Sequence, residues 1–97
     1  MRAKQDLLEQ LHQELPYIQE AFGVKTIGLF GSYARDEATP QSDVDLLVEF
    51  AHAPTFARFM QLEDYLAEKL GLKVDLVPAD ALKEYLQPRI LQETIYA

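Results

Sequence analysis

Cysteine is absent from the 97-residue chain, which excludes a disulfide framework and a thiolate metal site and fits a reducing compartment. No apolar run approaches the roughly 20 residues that a spanning helix needs. The opening stretch MRAKQDLLEQLHQEL also lacks the apolar block of a secretion signal. These absences lead us to expect a cytoplasmic protein without membrane contact. Basic clusters are missing too: 16 acidic side chains face 9 basic ones, for a formal net charge of −7. Without a Lys/Arg stripe to neutralise phosphates, direct nucleic-acid binding is not expected. A small triphosphate remains compatible, because a metal ion can carry the countercharge. His12 and His52 lie in unrelated contexts, which argues against a zinc site.

What is present is ordinary globular material. Hydrophobic residues make up 48% and charged residues 26% of the chain, with no internal repeat or low-complexity segment. At this size folding buries roughly 60 to 68% of the surface of the unfolded chain, enough for one core. We therefore expect a single domain over residues 1–97.

Leu7, Leu8, Leu11, Leu15 and Ile18 recur at spacings of three and four, predicting an amphipathic helix from Ala3 to about Phe22 that Pro16 should kink and Gly23 should end. VKTIGLF reads as a strand, GSYARDEA as a loop entering a short helix, and SDVDLLVEF, Ser42 to Phe50, as a second strand. Thr55 should cap a helix carrying Phe56, Phe59, Met60, Leu62, Leu66 and Leu70, with Gly71 as its stop. LKVDLVP is a third strand. Asp80 should then cap a last helix with Leu82, Leu86, Ile90, Leu91 and Ile95, kinked at Pro88. This alternation predicts an α/β (α+β) layer structure, one small sheet flanked by helices.

The second strand opens with two carboxylates. Strand side chains alternate between faces, so Asp43 and Asp45 share one while Val44, Leu46, Val48 and Phe50 share the other. Carboxylates about 5 Å apart repel by roughly 3 kcal/mol at an effective dielectric of 20, so something must offset the pair. Water at a strand end would suffice for an isolated D-x-D. Asp75, however, stands between Val74 and Leu76 within the third apolar strand, where Asp is disfavoured. If the two strands are neighbours, three carboxylates converge, and hard oxygen ligands select Mg²⁺ or Mn²⁺. Upstream, Gly31 and Ser32 follow a strand and open a helix. Gly lets a backbone approach closely there, and free N–H groups can hold a phosphate; a plain turn with Ser32 as cap is the alternative.

Together, GSYARDEATPQSDVDLLV resembles the signature of the nucleotidyltransferase superfamily that includes DNA polymerase beta, G-S followed by a spacer and D-x-D. More closely, G-S-x-A-R-x-E with S-D-x-D-L resembles the minimal nucleotidyltransferases, the small partners in HEPN/MNT toxin–antitoxin pairs. The resemblance is specific over residues 28 to 48 and looser elsewhere. It implies a polymerase beta-like fold with a small mixed sheet. It also implies that Gly31 and Ser32 grip the triphosphate of ATP and that Asp43 and Asp45 bind the metal ions. Asp75 would share a metal and act as base. Arg35 would stabilise phosphate charge, or else pair with Glu37. The implied function is that of an antitoxin in a type VII-like pair, transferring AMP to a tyrosine of a HEPN ribonuclease toxin with which it forms a hetero-oligomer. A non-catalytic antitoxin acting by binding alone and a small-molecule nucleotidyltransferase are the alternatives. Asp36 stands where the family often has Gly, a departure expected to change loop shape more than chemistry. The five tyrosines read as packing residues, with base stacking a further option for Tyr33 beside the loop.

Overall fold

The computed structural model describes residues 3–81 and 88–97. Its elements are α1 (Lys4–Phe22), β1 (Val24–Phe30), α2 (Gly31–Ala34), β2 (Val44–Phe50), α3 (Phe56–Leu70), β3 (Val74–Pro78), α4 (Pro88–Glu93) and β4 (Ile95–Tyr96). The strands form one sheet in the order β3-β2-β1-β4. β2 runs parallel to β3 and antiparallel to β1, and β1 is antiparallel to β4, so the sheet is mixed, as the resemblance implied.

A parallel pair cannot be joined by a tight turn, and α3 makes the crossover between β2 and β3. Thr55 begins that helix by accepting a hydrogen bond from the Arg58 amide at 3.1 Å, and Gly71 ends it with φ 69°, both as the sequence predicts. α1 closes on Gly23 at φ 73°. The helix runs on through Pro16: the proline is exposed, as is His12, so the carbonyl it leaves without an amide partner lies where water can reach it.

Alternation along β1, β2 and β3 turns Ile27, Leu29, Val44, Leu46, Val48, Val74 and Leu76 to one face, and all are buried. Leu7, Leu11 and Ile18 of α1 and Leu62, Leu66 and Leu70 of α3 cover them in one core. Arg58 locks the two helices, donating to the Ala21 carbonyl at 2.5 Å and stacking 4.3 Å from the centroid of the Phe22 ring. Phe56 and Met60 of α3, counted with the apolar face in the sequence, instead stay 80% and 37% exposed. Among the described residues no helix is long and apolar enough to cross a membrane.

The C-terminal part departs most from expectation. Helical backbone after β3 begins at Ala79, one residue ahead of the expected cap Asp80. Leu82 and Leu86, assigned to the last helix, lie outside the described residues. Ile95, assigned to the same helix, is in β4 opposite Leu29, with Tyr96 opposite Gly28. Gly28 allows this close approach: a Cβ there would lie 2.5 Å from Thr94 Cγ2.

Candidate active site

The sheet register brings two of the three aspartates side by side. Asp45 on β2 and Asp75 on β3 are direct register partners, on strands that lie about 4.8 Å apart. Asp43 stands one residue before β2. Asp45 is half-buried, and its carboxyl is pushed up to about 6, first by burial, then by the charges of Asp75 and Asp43, with Arg35 opposing. Like charges crowd this sheet edge, and among the described residues no three His, Cys, Asp or Glu side chains already form a metal-holding group. The backbone gathers the aspartates. The donors are all anionic oxygens, the set that suits a hard divalent cation.

The turn from β1 into α2 lies against the same carboxylate. Phe30 is the register partner of Asp45, so the next residue, Gly31, passes directly over it. Gly31 has φ 76°, and a Cβ on it would fall 2.1 Å from Asp45 Oδ2. Only glycine satisfies both the left-handed backbone and this contact. The Gly31 amide donates to Glu93 Oε2 at 2.7 Å. Arg35, one turn along, donates through Nε to Glu37 at 2.9 Å and through Nη1 to Glu93 at 3.0 and 3.3 Å. The ion pair with Glu37 anticipated from the sequence is therefore present, together with a second one that was not. Phe30, Gly31, Arg35, Asp45, Arg89 and Glu93 help line a cleft of about 420 Å³. A cleft of about 460 Å³ with a more apolar lining lies beyond the other end of β2, around Phe50, Phe56 and Pro78. Asp45 and the Gly31 turn line the former.

Ser32 is partly exposed beside Gly31, and its carbonyl accepts the Glu37 amide at 2.8 Å. Tyr33 is only 3% exposed and packs in the core, so it is not available to stack on a base; of the other described tyrosines, Tyr17 is half exposed yet packs its ring 5.1 Å from that of Tyr65 and 6.3 Å from that of Phe22, as a packing residue should, and Tyr96 is more than half exposed. Asp36 takes φ 60°, the conformation a glycine adopts most easily and one that Asp tolerates better than most residues. The loop thus accommodates the departure, and Lys4 pairs with the Asp36 carboxylate at 3.0 Å. Sequence reasoning missed Glu93 and Arg89. Nothing local marks either, because Glu93 meets Gly31 across 62 residues of chain.

The glycine turn is pressed onto Asp45, the register partner of Asp75, in a mixed sheet, and residues 8–97 match the nucleotidyltransferase domain family. The chain belongs to that family and is a nucleotidyltransferase. It is 48% identical over 79 residues to the protein adenylyltransferase MntA of Thermococcus cleftensis, covering 81% of this chain and 80% of the relative. A solved chain described as a minimal nucleotidyltransferase is 32% identical and overlays with a TM-score of 0.77, covering 97% of this chain and 95% of its own. The fold also resembles, at 26% identity and a TM-score of 0.58, a chain in a structure of the tri-AMPylated Shewanella oneidensis HEPN toxin in complex with MNT antitoxin; the match covers 80% of this chain and 57% of that one.

Proposed function

We propose that this chain is the antitoxin of a toxin–antitoxin pair and transfers AMP from ATP to a tyrosine of a partner HEPN ribonuclease, silencing it. The observation that carries the reading is the register of Asp45 with Asp75 beneath a Gly31 that admits no side chain. The relative named protein adenylyltransferase and the AMPylated HEPN complex support the acceptor. In this reading Asp43, Asp45 and Asp75 hold Mg²⁺ or Mn²⁺. When bound, the metal neutralises triphosphate charge and makes the α-phosphate a better electrophile. The turn at Gly31 and Ser32, with Arg35, holds the triphosphate so that the α-phosphate faces the aspartates. The tyrosine oxygen forms the new bond to the α-phosphorus, the bond from phosphorus to the bridging oxygen breaks, and pyrophosphate leaves with that electron pair. Asp75, exposed on β3, accepts the phenolic proton.

The partner brings the tyrosine to this open edge. The pair works in the cytosol as a hetero-oligomer, and this chain itself makes no direct contact with nucleic acid. Intact-mass spectrometry of the HEPN protein after incubation with this chain, ATP and Mg²⁺ tests the reading. One or more added adenylyl groups are expected with wild type and none with Asp43→Asn plus Asp45→Asn. If the double variant still silences the toxin fully, binding alone is the mechanism.

A further inference from the structure

Glu93 holds the same two groups that the proposed function gives to the triphosphate. Its carboxylate accepts the Gly31 amide at 2.7 Å and pairs with the Arg35 guanidinium at 3.0 Å. It is no loose surface charge, since only 16% of its side chain is exposed, and it forms part of the cleft wall beside Asp45. Carboxylate and phosphate oxygens are alternative acceptors for N–H and guanidinium donors, and one amide hydrogen serves one of them well at a time. A phosphate in this cradle would also stand against the negative charge of Glu93.

The element that carries Glu93 is lightly held. α4 has six residues and none of them is buried. It is tied to the sheet through β4, which pairs with β1 at two positions, and Thr94 closes the last turn by donating to the Ile90 carbonyl at 3.1 Å. Segments with little buried apolar surface open at small free-energy cost.

We propose that Glu93 is a built-in competitor for the nucleotide: its carboxylate occupies the Gly31 amide and Arg35 in the nucleotide-free protein, and ATP binding displaces it together with α4. The proposal rests on the assignment of Gly31 and Arg35 to the triphosphate. Its consequence is a damped resting affinity for ATP, because the apparent dissociation constant is the intrinsic one divided by the fraction of molecules with an open cradle.

Calorimetric titration of the full chain with ATP and Mg²⁺, without partner and hence without transfer, tests this on wild type, Glu93→Gln and Glu93→Ala, each first shown to melt cooperatively. Gln keeps the shape and removes the charge, whereas Ala removes the group. Both variants should bind ATP more tightly, by about tenfold for Ala if roughly a tenth of wild-type cradles are open. Hydrogen exchange over residues 88–97 should rise when wild type is saturated with ATP and should already be high in Glu93→Ala. Wild-type binding with equal or weaker affinity in both variants overturns the competitor and leaves the triphosphate assignment standing. So does exchange over 88–97 that stays unchanged or falls on saturation. Absence of ATP binding in all three folded proteins overturns both readings.

Discussion

Replacing Gly31 by Ala should separate backbone strain from loss of the site. Gly31, Gly71 and Gly23 share nearly the same left-handed φ, 76°, 69° and 73°, yet a Cβ on Gly71 meets nothing within 4 Å and one on Gly23 comes no nearer than 3.7 Å to the His52 carbonyl. Gly71→Ala therefore carries strain alone, about 1 kcal/mol, which lowers the melting temperature of a domain this size by roughly 4 to 8 °C. At Gly31 the new methyl would stand 2.1 Å from Asp45 Oδ2, 2.9 Å from its Cγ and 3.1 Å from its Cβ. The Asp45 side chain must leave its place or the turn must rise, and crowding of this kind adds about 1 to 3 kcal/mol. Thermal unfolding followed by circular dichroism, beside transfer of AMP to the HEPN partner, reads both effects. Gly71→Ala should melt a few degrees low and keep its activity. Gly31→Ala should melt lower still and lose nearly all transfer. If the two variants melt alike and Gly31→Ala transfers at the wild-type rate, the close fit of the turn on Asp45 has no catalytic meaning.

Three further outcomes are expected. The raised pKa of Asp45 means that the folded protein holds this proton more tightly than the unfolded chain, so metal-free stability should fall as pH rises from about 4 through about 6; after screening at a half-exposed group, Asp45→Asn should be more stable than wild type at pH 8 by about 1 kcal/mol in urea unfolding, and a less stable variant would refute the charge crowding. Tyr65, pushed up to about 12 mainly by its hydrogen bond to Glu14, ties α3 to α1 away from the site, so Tyr65→Phe should cost about 1 kcal/mol and leave AMP transfer unchanged; a transfer defect would show that this helix contact shapes the site. Gly28→Val should push β4 off β1, because a Cβ there already overlaps Thr94, and amide exchange over residues 94–97 should rise while exchange in β2 stays slow.

The elements with local punctuation were legible in the sequence. Thr55 and Gly71 bracket α3, Gly23 ends α1, and both strands bearing aspartates were found, although Ser42 and Asp43 precede β2. The pairing of Asp45 with Asp75 was left open, because parallel register is set by a crossover and a shared core rather than by either strand alone. β4 was missed for a related reason. Ile95 continues a helical spacing from Ile90 and Leu91, yet it pairs with β1 where Gly28 leaves room, a contact between distant parts of the chain that outweighs local pattern. The metal-ligand candidates and the glycine turn could be named from residue type and spacing. Glu93 could not, since one glutamate in a short helix carries no sign of the amide it will meet.

The most direct test is anomalous diffraction from crystals grown with Mn²⁺ and a non-hydrolysable ATP analogue. Density for manganese bounded by the carboxylates of Asp43, Asp45 and Asp75, with the triphosphate on the Gly31 turn, is the predicted result. Manganese bound elsewhere, or a triphosphate that avoids this edge of the sheet, would contradict the account.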